Sequence, residues 1–403
     1  MSNLHLLSPA GFVAAGVYAG IKTKPKCDVG LLAADGLVSA AAAFTSNKVC
    51  AAPVTIGRRH VAAGALRGIV VNSGNANACT GKQGQRDALR MCQLAAQAFG
   101  CRPQEVLPSS TGIIGHMLPM DKVQLGIQSA AQRLGNSAEH ALLFGDAIMT
   151  TDLKRKTAAA QVTLGGRKVT LAGICKGAGM IGPRLSAAPH ATMLAYLTTD
   201  AQIPAPLLRK ALVGAVDVSF NAVIIDDHTS TNDTAAIMAS GASQAKITGG
   251  AALRRFSAAL TDVCTALAYQ IAADGEGATK VVIITVDQAR TAADARTIAR
   301  AIANSPLVKC AMHGNDPNWG RIVSAAGMCH AAFDPLKCRL RLEGTPVFHK
   351  GRPVPFNAEL VSESLRSPEV HIHLSCNLGV AKAVVWTCDL SKEYVTINAD
   401  YHT

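Results

Sequence analysis

Hydrophobic and polar positions along the chain predict a succession of short strands and helices. The N-terminal part reads as short strands and turns, among them the apolar run GIVVN at 68–72. From about 85 to 99, Ala88, Leu89, Cys92, Ala95, Ala96 and Phe99 fall on one helical face, and Gly100 follows as a stop. A second helix is expected to be capped by Asp121 and to end near Gly135. AAQVTL, GGRK and VTLAGIC, 159–175, spell a hairpin. Beyond about 200 the pattern becomes α/β. It predicts a helix at 205–216, a strand at 222–225, a long helix at 252–273, a strand at 281–286 and an amphipathic helix at 288–303. Residues 337–398 alternate apolar and polar positions in several short strands. No large repeat, low-complexity tract or Ser/Pro/Gly linker divides the chain.

Loops of small polar residues lie between these elements. NSGNANACTG, 72–81, is either a tight turn or a loop whose amides line a polar site, and the pattern alone favours the turn. SSTGIIG, 109–115, reads as a small-residue loop opening towards a helix, a form that can present backbone N–H groups to an anion. GDAIMTTD, 145–152, reads as a Thr-rich turn, and Asn315-Asp316-Pro317-Asn318 as a strong one. The loop DDHTSTNDT, 226–234, offers Asp226, Asp227, His228 and Asp233 to a metal, but such clusters usually mark turns and caps. Glu276 stands between Gly275 and Gly277. It is a solvated turn charge or a ligand for an amine, and spacing favours the first. His371 and His373 share a strand face without an evident third ligand and read as ordinary strand residues.

The stretch 176–200 reads KGAGMIGPRLSAAPHATMLAYLTTD, with a Gly-rich turn at its start and Thr192 between Ala191 and an apolar run. Gly177, Gly179 and Gly182 spell G-x-G-x-x-G after a strand, and Asp200 lies eighteen residues further on. In isolation this looks like a dinucleotide loop followed by an apolar helix. Pro183 and Pro189 exclude that reading, because RLSAA between them is too short for the crossover helix.

Composition narrows the function classes. With 403 residues, 16% charged, the chain can bury a large core and is not disordered. The formal charge of +12 suits anionic substrates. Nucleic acid is a weaker reading: the basic clusters are short, as in Arg58-Arg59 and Lys154-Arg155-Lys156, and aromatics are only 4%. Twelve cysteines without a C-x-x-C pair argue against a zinc ribbon or redox dithiol and suit reduced thiols in a cytoplasm. No signal peptide is visible, and no span reads as long and apolar enough to cross a membrane.

Taken together, several blocks resemble the ornithine acetyltransferase (glutamate N-acetyltransferase) family of arginine biosynthesis. They are NSGNANACTG, SSTGIIG, AIMTTD, KGAGMI…ATMLAYLTTDA, TSTNDT, DGEGATK, NSPLVKCAMHGNDPNWGRI and INADYHT, in the family's order from about residue 10 to residue 403. The resemblance implies a layered α/β sandwich like that of N-terminal-nucleophile hydrolases, with distinct connectivity. It also implies self-cleavage between Ala191 and Thr192. The products are an α chain, 1–191, and a β chain, 192–403, assembled as two copies of each.

Thr192 is then the nucleophile, its own α-amine the base, and an acetyl-threonine ester the intermediate between N2-acetylornithine and glutamate. By resemblance, the Thr111 hydroxyl and the Gly112 N–H hold the oxyanion. Thr150, Lys176, Thr192, Glu276, Asn398 and Thr403 bind substrate. No metal or cofactor is implied, and acetyl-CoA is a candidate second donor. The alternative in the same class is an amidase or aminopeptidase that releases the acyl group to water. Two departures from the family stand out. Lys176 to Thr192 is sixteen positions, about five more than usual, with His190 where Met is usual. Asp227-His228 replaces Gly-Asp, and that Gly could have supplied a positive φ.

Overall fold

The computed structural model describes residues 4–182 and 193–400. The chain begins with β1 (Phe12–Val17), β2 (Val29–Phe44), α1 (Ala52–Val61), β3 (Ala65–Asn75) and α2 (Gly81–Phe99). It continues through β4 (Val106–Ile113), α3 (Met120–Ala131), α4 (Ala138–Ile148), β5 (Lys156–Leu164) and β6 (Arg167–Lys176). Then come β7 (Leu194–Thr199), α5 (Ala205–Val218), β8 (Val223–Ile224), β9 (Thr234–Ala239) and α6 (Gly250–Ala273). Next are β10 (Val281–Ala289), α7 (Ala292–Asn304), α8 (Pro306–His313) and α9 (Trp319–Gly327). The last elements are β11 (Arg339–Leu342), β12 (Thr345–His349), β13 (Arg352–Pro353), α10 (Ala358–Ser364), β14 (Glu369–Ser375), β15 (Ala381–Cys388) and α11 (Lys392–Asp400). The class is α/β, as expected.

Two compact units divide these elements. The first takes residues up to 221 and 228–267, the second 222–227 and residues from 268 onward. The first carries an eight-stranded sheet in the order β4-β3-β2-β9-β7-β6-β5, with β1 on β2. Strand β2 organises it. Its first part pairs antiparallel with β3, its second part with β9, and the register shifts between Ala33 and Val38, where Asp35, Gly36 and Leu37 are exposed. One core gathers Leu32, Ile69 and Val71 from one side of that shift with Tyr196, Ala236 and Met238 from the other. Phe144 of α4 meets Tyr196 edge-on, with ring centroids 5.6 Å apart.

Strands β7 and β9 are buried at every position. A strand with neighbours on both edges and both faces covered need not alternate. That is why the run after 192 resembled a helix in the sequence while LAYLTT is a strand.

The second unit holds a seven-stranded sheet, β13-β12-β11-β14-β10-β15-β8. β10 runs parallel to β14 and antiparallel to β15. Helix α7 covers β10 and β15, burying Ala295, Ile298, Ala299, Ile302 and Ala303 as its amphipathic pattern requires.

Several sequence expectations need correction. Residues 72–75 and 109–113 are strand ends in β3 and β4, not loop. Helix α3 starts at Met120 with Pro119 as its N-cap; Asp121 lies in the first turn, and the helix ends at Ala131. The first half of 145–152 belongs to α4, which Ser137 caps by accepting from His140 N–H. Helices α8 and α9 flank the Asn315–Asn318 turn, and α10 and α11 interrupt the strand region. The absence of a span able to cross a membrane is amended too. Helix α6 has 24 residues and an 18-residue window of mean hydropathy 1.2, which suffices by length and composition. Phe256, Leu260, Cys264, Leu267 and Ile271 of that helix are nevertheless fully buried.

Candidate active site

In the first unit the site is built on one rim of the sheet. Lys176, the last residue of β6, is opposite Leu194; Leu194 is opposite Thr234; Thr234 is opposite Phe44. The Thr234 N–H donates to the Met193 carbonyl at 2.8 Å. A lysine at the buried end of a strand needs compensating charge. Asp152 supplies it. Its carboxylate accepts from Lys156 Nζ and from the Gly177 N–H, both at 2.6 Å, and from the Thr150 N–H at 3.1 Å. The Lys156 and Asp152 side chains are 1% and 0% exposed. Burial opposes ionisation of Asp152. The Lys156 and Lys176 ammoniums and the hydrogen bonds outweigh it and hold the carboxyl below the usual range. Asp152 therefore adds stability above about pH 4 that is lost as pH falls through its lower folded value.

Asp233 behaves oppositely. It is 1% exposed, and its Oδ2 has no hydrogen-bond partner among the described residues. Burial drives its pKa well above the carboxylate range, against the pull of Lys176. From about pH 4 upward the unfolded chain ionises this group before the folded one, so it lowers stability as pH rises.

Thr111 and Gly112 lie at the end of β4, in register with Ser73 and Gly74 of β3. Thr111 is 5% exposed, and its hydroxyl bonds to no described residue. Gly112 has φ +133°, and a Cβ there would lie 2.4 Å from the Gly74 carbonyl carbon. The 229–233 loop ties this strand end down. Asn232 Nδ2 donates to the Ser110 carbonyl at 2.8 Å and to the Ala76 carbonyl at 2.6 Å. Thr45 N–H donates to the Asp233 carbonyl, and Thr229 Oγ1 to the Gly182 carbonyl at 3.3 Å. The asparagines of 72–81 serve as internal braces. Asn72 Nδ2 donates to the Asn75 carbonyl, Asn75 Nδ2 to the carbonyls of His116 and Met117, and Asn77 Nδ2 to that of Gly84. All three are buried, which suits internal braces and not a polar lining.

The second unit brings Glu276 and Asn398 together. Asn398 Nδ2 in α11 donates to Glu276 Oε2 at 2.9 Å. Glu276 is half-buried. Gly277 beside it has φ +69°, and a Cβ would meet Tyr394 N at 2.5 Å. Ser391 Oγ donates to the Gly277 carbonyl, and Asp389 accepts from Thr279 N–H and hydroxyl and from Lys280 N–H. The turn carrying Glu276 is thus held at both ends. Tyr394 donates to Asp226 Oδ2 at 3.3 Å; burial, then the Asp226 and Glu276 carboxylates, push its pKa up.

Asp227 has φ +56°, matching the expectation that its position needs a left-handed backbone. Arg300 Nη2 and Asn304 Nδ2 each donate to its carboxylate at 2.7 Å. Asp227→Ala keeps the unfavourable φ and deletes both bonds. It is expected to lower the urea unfolding free energy by about 1–3 kcal/mol, whereas Asp227→Gly recovers part of that through its free backbone. Equal stabilities for the two variants and the parent would refute this account.

The structure thus places Thr111, Gly112, Thr150 and Lys176 in one unit and Glu276 and Asn398 in the other. Ala191, Thr192 and Thr403 lie outside the described residues, as do 183–190 with His190. No group of three His, Cys, Asp or Glu fit to hold a metal occurs among the described residues. His371 and His373 pair with Glu369 and Asp287 at 3.1 and 2.9 Å. Sequence reasoning missed Asp152, Lys156 and Asn232, and offered Asp233 only as a candidate metal ligand. The Asp-to-Lys spacing of four in DLKRK is a charge signal for the first pair, although it lies in a turn and strand start and not on a helix.

The ArgJ family profile matches residues 13–403. The arginine biosynthesis bifunctional protein ArgJ of Symbiobacterium thermophilum is 46% identical over 400 residues, 98% of each chain. That of Dehalococcoides mccartyi is 45% identical over 402 residues, 99% of this chain and 97% of its own. The crystal structure of the Mycobacterium tuberculosis ornithine acetyltransferase complexed with ornithine is 37% identical over 46% of this chain and 98% of that one, with a TM-score of 0.44. On the strength of a family match and full-length relatives that agree, the chain belongs to the ArgJ family.

Proposed function

We propose that this chain, an ornithine acetyltransferase of arginine biosynthesis, cuts itself between Ala191 and Thr192 and moves an acetyl group through an ester on Thr192. The observation that carries the reading is the shared rim. Lys176 ends β6 beside the strand that starts two residues after Thr192, and the 229–233 loop joins this rim to Thr111 and Gly112.

A threonine hydroxyl is a weak nucleophile, but at a chain start its own α-amine, titrating near 8, takes the proton. Attack on the acetyl amide of N2-acetylornithine makes a C–O bond and a tetrahedral oxyanion. The Thr111 hydroxyl and Gly112 N–H donate to that oxyanion. The C–N bond then breaks, the α-ammonium returns its proton to the leaving nitrogen, and ornithine departs. Glutamate's amine attacks the ester by the reverse course and leaves as N-acetylglutamate. Lys176 and Thr150 receive the α-carboxylate common to both substrates. Glu276, braced by Asn398, steadies an ammonium, with Thr403 completing the subsite. The bifunctional name of the relatives supports acetyl-CoA as a second donor. We assign two α and two β chains to the assembly and the cytoplasm as its place, in keeping with twelve free thiols.

The test is acceptor partition together with the mass of the denatured protein. Incubated with N2-acetylornithine and glutamate, the protein should yield N-acetylglutamate with ping-pong kinetics and little acetate. The denatured sample should contain fragments of 191 and 212 residues. Acetate as the main product would favour the hydrolase instead. An uncut chain that still transfers acetyl would exclude the N-terminal threonine.

A further inference from the structure

Asp152 has no role in the chemistry above, yet it touches both segments that carry the proposed carboxylate contacts. One oxygen accepts from the N–H of Gly177, the residue after Lys176, and from Lys156 Nζ, both at 2.6 Å. The other accepts from the N–H of Thr150 itself at 3.1 Å. Thr150 lies in the turn after α4 and Lys176 at the end of β6, so one buried carboxylate spans two separate parts of the chain. We propose that Asp152 is a positioning residue. It fixes Thr150 and Lys176 at the spacing that accepts one α-carboxylate, with Lys156 as its counter-ion. This rests on the reading of Lys176 and Thr150 given above.

Charge agrees with geometry. The Lys156 and Lys176 ammoniums keep the Asp152 carboxylate ionised, the form that accepts from both backbone donors, whereas Asp233, which also faces Lys176, is held towards its neutral form by burial. A buried ion pair is poor evidence of stabilisation by itself, since apolar residues often replace one without loss. Its geometry matters here because both backbone donors belong to or adjoin proposed binding residues.

Asp152→Asn keeps the shape but turns an N–H donor towards one of these three donors. The measurement is the ratio of Kd values for ornithine and its α-carboxamide, two ligands that carry no acetyl group to transfer. The parent protein should prefer ornithine. In Asp152→Asn that preference should fall at least about tenfold, a 1.4 kcal/mol change. A merely structural role would shift the melting temperature and leave the ratio alone, and that result overturns the proposal. Because Asp152→Asn removes the negative charge that faces buried Lys156, Asp152→Asn/Lys156→Gln is measured beside it. The double variant should show the same loss of preference; parent-like preference would mean that Asp152 only neutralises Lys156, and would also overturn the proposal. A parent protein that prefers ornithine but transfers no acetyl would refute the reaction while leaving the positioning role standing. One that transfers acetyl without preferring ornithine would do the reverse.

Discussion

Thr192→Ala is expected to yield a single uncut chain and to reduce acetyl transfer by at least about 10⁴-fold. One hydroxyl is asked to serve twice in the proposed reaction: against the Ala191 carbonyl during self-cleavage, then against the acetyl amide of each substrate molecule. Alanine removes both and also keeps the would-be base, the α-amine, locked in a peptide bond. Losses on removing a catalytic nucleophile elsewhere reach roughly 10⁶ in kcat, and what remains comes from binding and oxyanion donors. Thr192→Ser keeps an Oγ and should cut and transfer at a reduced rate. Mass analysis of the denatured variants and an N-acetylglutamate assay read both outcomes. A Thr192→Ala protein that still separates into two fragments, or still transfers, would end the N-terminal-threonine mechanism.

Gly112→Ala is the second substitution with a large expected effect. At φ +133° an L side chain is strained at about 1–3 kcal/mol. Its Cβ would also lie 2.4 and 2.5 Å from Gly74 C and Asn75 N. Those atoms are backbone of the paired strand β3, so no side-chain rotation relieves the clash. Separating the strands would move the Gly112 N–H and the Thr111 hydroxyl together. Loss of one oxyanion donor typically lowers kcat by 10²–10³. The expected result is a stability loss of roughly 2–5 kcal/mol in urea unfolding, with kcat down by that factor in whatever folds. Normal turnover in a fully stable Gly112→Ala protein would remove Gly112 from the oxyanion site.

Elements with a regular face were legible in the sequence. Helix α2, with Gly100 as its left-handed C-cap, α5, α6, α7 and the β5–β6 hairpin stand about where periodicity placed them. What escaped was set by distant partners. Strand β7 shows no alternation because β6 and β9 flank it. Residues 109–113 look like a loop because Ser, Thr and Gly are turn formers, yet parallel pairing with β3 makes them a strand. The small residues are there because the two backbones approach closely at Gly74 and Gly112. Helices α8 and α9, of 8 and 9 residues, are too short to show a period.

The site divided in the same way. Thr111, Gly112, Thr150, Lys176, Glu276 and Asn398 came from block resemblance, since spacing alone left Glu276 as a solvated charge. The parts that Asp152 and Asp233 play beside Lys176 were hidden because the two stand 24 and 57 positions from it. Only the fold brings such charges to one rim.

The interleaving of the first sheet changes what kind of molecule the protein becomes once cut at the proposed bond. Strands β7 and β9 follow that bond, while their hydrogen-bonded neighbours β6 and β2 precede it. Every native pairing survives the cut, but β6 with β7 and β2 with β9 then join different polypeptides. Unfolding releases two species, and refolding becomes a second-order encounter, slowed by dilution and deprived of the effective concentration of a tether. The uncut precursor forms this sheet as a first-order process. On the proposed cleavage, the peptide bond after Ala191 serves as a folding aid used once, and its loss leaves the sheet in a state that dilute, separated chains would regain only slowly.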